Sequence, residues 1–192
     1  PGTPPRSDFF FIVRADPDDA VTIIDSLTEE RRESVLSLLD PERREEVREL
    51  ISYPEGTVGR IMNTEFMALT PTTTAQGAID KIRERGELES FFYLYVVDNE
   101  NKLVGVVPIR NLVIAPRDRT LSEMMIADPL KGDVFMDQEE AARIVAKYEL
   151  LALPIVDEGG RLEGIITVDD VIDIINEEST EDMYKMAGLA EE

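Results

Sequence analysis

The chain repeats itself. Residues 95–113 align without gaps on residues 154–172, an offset of 59. Val97/Val156, Asp98/Asp157, Leu103/Leu162 and Gly105/Gly164 are identical pairs. Val96/Ile155, Lys102/Arg161, Val106/Ile165, Val107/Ile166, Ile109/Val168, Leu112/Val171 and Val113/Ile172 are conservative ones. Self-similarity of this kind precedes any local pattern, because it commits the chain to building one unit twice. Each copy reads as a β-branched strand, a polar turn (Asn99-Glu100-Asn101; Glu158-Gly159-Gly160), a second strand closing at a Gly, and an amphipathic helix. Two similar α/β units side by side are expected.

Upstream of each copy the pattern also agrees. A short helix (Gly59-Arg60-Ile61-Met62; Leu121-Ser122-Glu123-Met124-Met125) leads into a short strand and then a longer helix. Asp137 with Glu140, and Thr120 with Glu123, have the spacing of capping boxes, which supply acceptors to the orphan amides of a first turn. The first copy carries about five extra residues near residues 87–92, a local specialisation. Ahead of the repeats, Asp16-Pro17 and Asp40-Pro41 each place an N-cap acceptor before a Pro at the first helical position. Apolar residues at Val35, Leu38 and Leu39, then at Val47, Leu50 and Ile51, have helical spacing, so two or three short helices are expected from about residue 16 to 52. Tyr53-Pro54-Glu55-Gly56 ends that pattern. The run Phe9-Phe10-Phe11-Ile12-Val13, bounded by Asp8 and Arg14, reads as a truncated core helix, with a partner-docking patch as the other reading.

Composition narrows the chemistry. Of 192 residues, 41 are acidic and 20 basic, a net charge of −21, and there is no His, Cys or Trp. Thiolate metal sites, disulfides, cysteine nucleophiles and histidine-based triads are excluded. Nucleic acid is an unsuitable partner for so negative a surface, because its binding depends on Lys and Arg releasing counterions. Carboxylates instead favour hard cations such as Mg²⁺ and Ca²⁺, and ligand type alone does not separate Mg²⁺ from Mn²⁺ or Ca²⁺. No apolar run approaches the roughly 20 residues of a membrane helix. The acid is concentrated late: residues 120–192 hold 19 acids against 5 bases, a net of −14. On the helix opened by Thr167, Asp170, Asp173 and Glu177 share a face, while Val171, Ile172 and Ile175 supply the apolar one. Like charges so spaced repel by roughly 0.2–0.5 kcal/mol per pair, a repulsion that a divalent ion would reverse. Acids in the first turn, such as Asp169, Asp170, Glu139 and Glu140, are equally favoured by the helix dipole with no metal at all. No nucleophile or substrate pocket is recognisable, so the chain does not read as an enzyme.

The tandem units resemble a pair of cystathionine β-synthase (CBS) domains. More narrowly, the chain resembles the cytosolic part of the MgtE family of magnesium transporters, through Leu39-Asp40-Pro41, Gly59-Arg60-Ile61-Met62, Tyr95-Val96-Val97-Asp98, Leu153-Pro154-Ile155-Val156-Asp157, Thr167-Val168-Asp169-Asp170-Val171 and Ser179-Thr180-Glu181-Asp182-Met183-Tyr184-Lys185. The resemblance implies an α+β fold: an irregular segment 1–15, a helical N-domain 16–55 that is short beside the family's usual helical array and so reads as truncated, CBS repeats at 56–119 and 120–178, and the start of a connecting helix at 179–192. It implies a Mg²⁺ sensor on the cytoplasmic side of the membrane, a homodimer, and a membrane transport domain in the same polypeptide beyond residue 192. Positions matching the family's metal ligands are Glu139, the carbonyl of Ala146, Glu149, Asp170, Asp173, Glu181 and Asp182, with Asp18 as the N-domain residue to meet Asp170. Glu149-Leu150 stands where the family often has Asp before Phe, and the Asp-Pro-Asp-Asp setting of Asp18 is equally a helix start.

The same resemblance brings a second expectation, an adenine nucleotide such as ATP or AMP, in a CBS regulatory module that need not be attached to a transporter. Gly164-Ile165-Ile166-Thr167-Val168-Asp169-Asp170 fits the ribose-holding pattern of CBS domains, although Thr167 with Asp170 is also an ordinary capping box. MgtE relatives that bind ATP use positions matching Tyr93, Arg110 and Asn111, and Asn111 stands where an acid is usual.

Overall fold

The computed structural model describes residues 17–85 and 92–186, with the backbone alone at residues 177, 178, 181, 182 and 184–186. The Phe9 run, Asp16 and residues 87–91 of the first copy's insertion lie outside the described residues.

Three helices open the described chain: α1 (Pro17–Asp25), α2 (Glu29–Leu38) and α3 (Pro41–Ser52). Asp40 caps α3 as its spacing requires, its carboxylate accepting the Arg43 amide at 3.0 Å ahead of Pro41. At the C-terminal end of α2 the Arg44 guanidinium donates to the carbonyls of Leu36, Ser37 and Leu39, adding to the single backbone bond there, from the Leu39 amide to Leu36. The apolar stripe of α2 differs from the expected one. Val35, Leu36 and Leu39 are buried, whereas Leu38 is 52% exposed: Leu36 and Leu38 flank the Val35–Leu39 direction on opposite sides, and the neighbouring helices cover only the Leu36 side.

Two similar units follow. The first comprises α4 (Val58–Ile61), β1 (Ala68–Leu69), α5 (Ala75–Arg85), β2 (Tyr93–Val97), β3 (Leu103–Pro108) and α6 (Ile109–Ile114). The second comprises α7 (Leu121–Met124), β4 (Ile126–Ala127), β5 (Gly132–Asp133), α8 (Gln138–Tyr148), β6 (Ala152–Val156), β7 (Leu162–Thr167) and α9 (Val168–Met186). β1 runs parallel to β2 and β5 parallel to β6, and each hairpin is antiparallel with a register shift at the equivalent place, Val96/Val97 and Ile155/Val156. Thr120 and Glu123 form a complete capping box at α7, and Asp137 accepts the amides of Glu139 and Glu140 at α8.

The units exchange edges. β4 follows the second unit's short helix but pairs with β3 of the first, Ile126 opposite Val106. In return, Asn63 and Ile165 exchange both backbone hydrogen bonds, at 2.8 and 2.9 Å. This exchange explains the identical Gly105/Gly164 pair: a Cβ on Gly105 would lie 2.5 Å from the Met125 sulfur, and one on Gly164 would lie 2.7 Å from Met62. Tyr95, Val97, Leu103 and Val106 of one unit close on Val156, Leu162 and Ile165 of the other.

A larger core joins the N-terminal helices to the second unit, with Ala20, Val21, Ile24, Val47 and Leu50 in one cluster with Val134, Val145, Ile166, Val171 and Ile174. On α9 the buried residues are Val171 and Ile174, three apart; Ile172 and Ile175, expected on the apolar face, are 55% and 46% exposed. Four aliphatic residues within five positions span more of a helix circumference than one sheet can cover. α9 continues without a break past residue 178. Among the described residues no helix is long and apolar enough to cross a membrane.

Candidate functional site

Two clefts flank α9, and Ile174 lines both. The first, of about 240 Å³, separates the start of α1 (Asp18, Asp19, Thr22) from α9 (Asp170, Asp173, Asn176), with Ile61 and Gln138 completing its wall. Asp170 is placed by its own helix start. Its carboxylate accepts both the backbone N–H and the hydroxyl of the N-cap residue Thr167, each at 2.6 Å. Burial pushes the Asp170 carboxyl above the usual carboxylate range, the Thr167 bonds oppose that rise, the charge of Asp169 adds to it, and a side-chain hydrogen bond with Asp18 opposes it. Two carboxylates so placed repel when both are ionised, and a proton or a cation between them relieves that repulsion. Asp173 is exposed at the same cleft.

The second cleft, of about 260 Å³, is lined by Glu139, Ala142, Arg143 and Ala146 of α8 and by Ile174, Ile175 and Ser179 of α9. The Glu139 carboxylate is paired with Arg143 at 3.0 Å. Glu149 lies in neither lining. It follows α8 in a left-handed conformation (φ 52°) and donates its amide to Val145. The side chains of Glu177, Glu181 and Asp182 lie outside the described residues. The expected ligands are therefore divided, with Asp18, Asp170 and Asp173 at one cleft and Glu139 and Ala146 at the other. Among the described residues no three acidic groups converge closely enough to hold a metal by themselves. Mg²⁺ does not require three, since it retains several waters and is commonly held through one or two carboxylates. The oxygen-bearing residues of its lining, Asp18, Asp19, Asp170, Asp173, Thr22, Gln138 and Asn176, fit such a hydrated hard cation. Asp19, Thr22, Gln138 and Asn176 were not legible as site residues. Only the adjacency of Asp19 to Asp18, and of Asn176 to Asp173 one turn on, carried a signal.

A third cleft, of about 310 Å³, lies between the units, where Tyr93 and Val106 face Ile126, Asp128, Pro129, Leu130, Leu150, Ala152 and Pro154. Tyr93 pairs in register with Pro108, which precedes α6, so Arg110 (exposed) and Asn111 (half-buried) occupy the first turn of a helix that starts beside it. Thr167, on the other unit, is buried with its hydroxyl held between the carboxylates of Asp169 and Asp170. Its capping role is thus in use.

The MgtE intracellular N domain matches residues 11–56, and the CBS domain matches residues 58–118 and 121–177. The cytosolic domain of the Mg²⁺ channel MgtE, solved in complex with ATP, superposes with a TM-score of 0.84 at 34% identity, over 89% of this chain and 71% of that one. The chain belongs to the MgtE family. It corresponds to the cytosolic part, an N domain with a CBS pair, as the family resemblance of its motifs implied. The magnesium transporter MgtE of Thermus thermophilus is 39% identical over 153 residues, 79% of this chain and 34% of the relative. That of Bacillus subtilis is 33% identical over 176 residues, 91% of this chain and 39% of the relative. The chain thus spans little more than a third of the MgtE proteins it matches.

Proposed function

We propose that this chain is the Mg²⁺-sensing regulatory region of a magnesium transporter, lying on the cytoplasmic side of the membrane and followed in the same polypeptide by a membrane transport domain. The observation that carries this reading is the carboxyl contact between Asp18 and Asp170 across the boundary between the N domain and the second CBS unit. With both groups ionised the contact is repulsive; a hydrated divalent cation between them makes it attractive, so cation occupancy selects the closed arrangement by differential affinity. Mass action ties the closed population to Mg²⁺ concentration. Asp173 adds charge to the same cleft, and Glu139 with the Ala146 carbonyl offers a second, weaker place for a cation beside Arg143. Exposed Val113 and Ile114 on α6, with Ile172 and Ile175 on α9, support pairing of the CBS units with a second copy. Regulation rather than catalysis is the role this supports.

The direct test is thermal unfolding across a Mg²⁺ titration. Saturating Mg²⁺ is expected to raise the melting temperature of the wild-type chain and to do so much less in the variant carrying Asp170→Asn and Asp173→Asn. An unchanged melting temperature across millimolar Mg²⁺ in the wild type refutes the reading.

A second reading rests on the cleft at Tyr93. Its apolar walls accept a planar base, and Arg110 at the adjacent helix start supplies a cation for phosphate. The similar MgtE cytosolic domain was solved with ATP. Stabilisation by ATP or AMP in the absence of Mg²⁺, lost in Tyr93→Ala, is the outcome this reading requires.

A further inference from the structure

The two faces between the units are lined by equivalent positions and filled unequally. From the hairpins onward the offset of 59 matches Tyr93 with Ala152 and Tyr95 with Pro154. Ahead of the hairpins an offset of 63 holds, from residues 57–69 to residues 120–132. Thr57 and Thr120 are the N-caps of α4 and α7, Met62 and Met125 each meet the glycine of the other unit, and Asn63 and Ile126 pair with the equivalent residues Ile165 and Val106. Phe66 therefore corresponds to Pro129.

Pro129, Pro154 and Ala152 line the open cleft of about 310 Å³ at Tyr93. At the three equivalent positions the chain carries Phe66, Tyr95 and Tyr93, so three aromatic side chains stand where the open cleft has two prolines and a methyl group. The Phe66 and Tyr95 rings meet edge to face, with centroids 6.0 Å apart and an interplanar angle of 83°. Tyr95 is 2% exposed, and the half-buried Phe66 packs against the cluster that Tyr95 forms with Val156 and Ile165 of the other unit. The backbone fixes Phe66 there: its amide donates to the Thr64 carbonyl at 3.1 Å, and its carbonyl accepts from Arg85 Nη1 at 2.9 Å. The equivalent loop turns differently, through Asp128 in a left-handed conformation (φ 45°) that Glu65 does not adopt. One polar atom is stranded inside this packing. The Tyr95 hydroxyl is buried without a hydrogen-bond partner among the described residues. A filling that served packing alone would avoid that cost with phenylalanine.

We propose that the Phe66 ring is a built-in occupant of a second site between the units, equivalent to the Tyr93 cleft, so that each chain offers only one cleft to a planar ligand. The Tyr95 hydroxyl is the polar contact that this closed site retains. A ring attached to the chain competes at an effective concentration that a free ligand rarely reaches, which keeps the site shut. What Phe66 shuts out is an aromatic ring bearing a polar atom for Tyr95. That the open cleft takes a nucleotide base rests on the second reading above; the closure of its equivalent does not.

Truncating a buried ring leaves an apolar cavity that admits small aromatic molecules. Indole is a suitable probe, because its N–H can donate to the Tyr95 oxygen. With tyrosine isotopically labelled, nuclear Overhauser contacts between indole and the Tyr95 ring are expected in Phe66→Ala and in the milder Phe66→Leu, and none in the wild type. Adding Tyr95→Phe to Phe66→Ala is expected to weaken indole binding several-fold, whereas Tyr95→Phe alone is expected to raise the melting temperature by a few degrees. Indole contacts to Tyr95 in the wild type, their absence in both Phe66 variants, or two molecules of ATP bound per wild-type chain would overturn the closure. A chain that binds no ATP while Phe66→Ala admits indole beside Tyr95 refutes the nucleotide reading and upholds the closure.

Discussion

Asp170 on α9 meets Asp18 on α1 carboxyl to carboxyl, across the cleft between the N domain and the second CBS unit. A chain of net charge −21 can distribute its acids over a solvated surface. Setting two of them against each other, one of them partly withdrawn from water and committed to capping its own helix, keeps a repulsion in place that other charges can relieve.

Because the N-terminal helices share one core with the second CBS unit, they are expected to unfold together. Ile24 is fully buried in that cluster. Ile24→Ala is expected to cost about 2–5 kcal/mol and to lower a single calorimetric transition. Two separated transitions, with only the earlier one sensitive to the substitution, would show instead that the N domain folds alone.

The exchanged edges of the repeats make two equivalent glycines unequal. At Gly164 the obstructing residue, Met62, is buried and presents its Cβ, Cγ and sulfur within 3.0 Å of an added methyl group. At Gly105 the nearest obstruction is the sulfur of Met125, which is half-buried. Gly164→Ala is therefore expected to destabilise by about 1–3 kcal/mol and Gly105→Ala by less, as urea unfolding will measure. Adding Met62→Ala to Gly164→Ala is expected to cost less than the sum of the two single changes.

Legibility followed periodicity. The gapless repeat located both hairpins and the helices after them, and Asp40-Pro41 located α3, because caps, turns and β-branched runs are local signals. The exchange of β4 and Asn63 between units has no such signal; it is set by which edge is left unpaired once both hairpins form. On α2 and α9 the helical spacing was legible, but not which aliphatic residues face inward, since Leu38, Ile172 and Ile175 continue apolar runs that neighbouring elements leave uncovered. Asp18 and Asp170 could be named from the sequence. Gln138 and Asn176 could not, because amides complete a cleft only through the packing of α8 and α9. Arg60 stood in a recognisable motif, yet its partner Asp25 is 35 residues away.

The two hairpin turns give an acid limb with a definite sign. Asp98 accepts the amides of Lys102 and Glu100, and Asp157 accepts that of Arg161 and is further lowered by the Gly159 amide, so both carboxyls are held below the usual range. A carboxyl lowered in the folded state contributes stability above its ordinary pKa of about 3.9 and loses it as pH falls through the folded value. The turns also hold each other, Leu103 to Gly160 and Leu162 to Asn101. Asp98→Ala with Asp157→Ala is expected to reduce stability at pH 7 and to flatten its decline below about pH 4. An acid limb parallel to the wild type would assign that decline to other carboxylates.

The central claim is that a divalent cation sits between α1 and α9. Anomalous scattering from crystals of the chain soaked in Mn²⁺, a spectroscopically visible substitute with the same preference for oxygen ligands, locates it directly. A peak within coordinating reach of Asp18 and Asp170, weakened in Asp170→Asn, is the expected result; peaks confined to other acids, with none in that cleft, would contradict it.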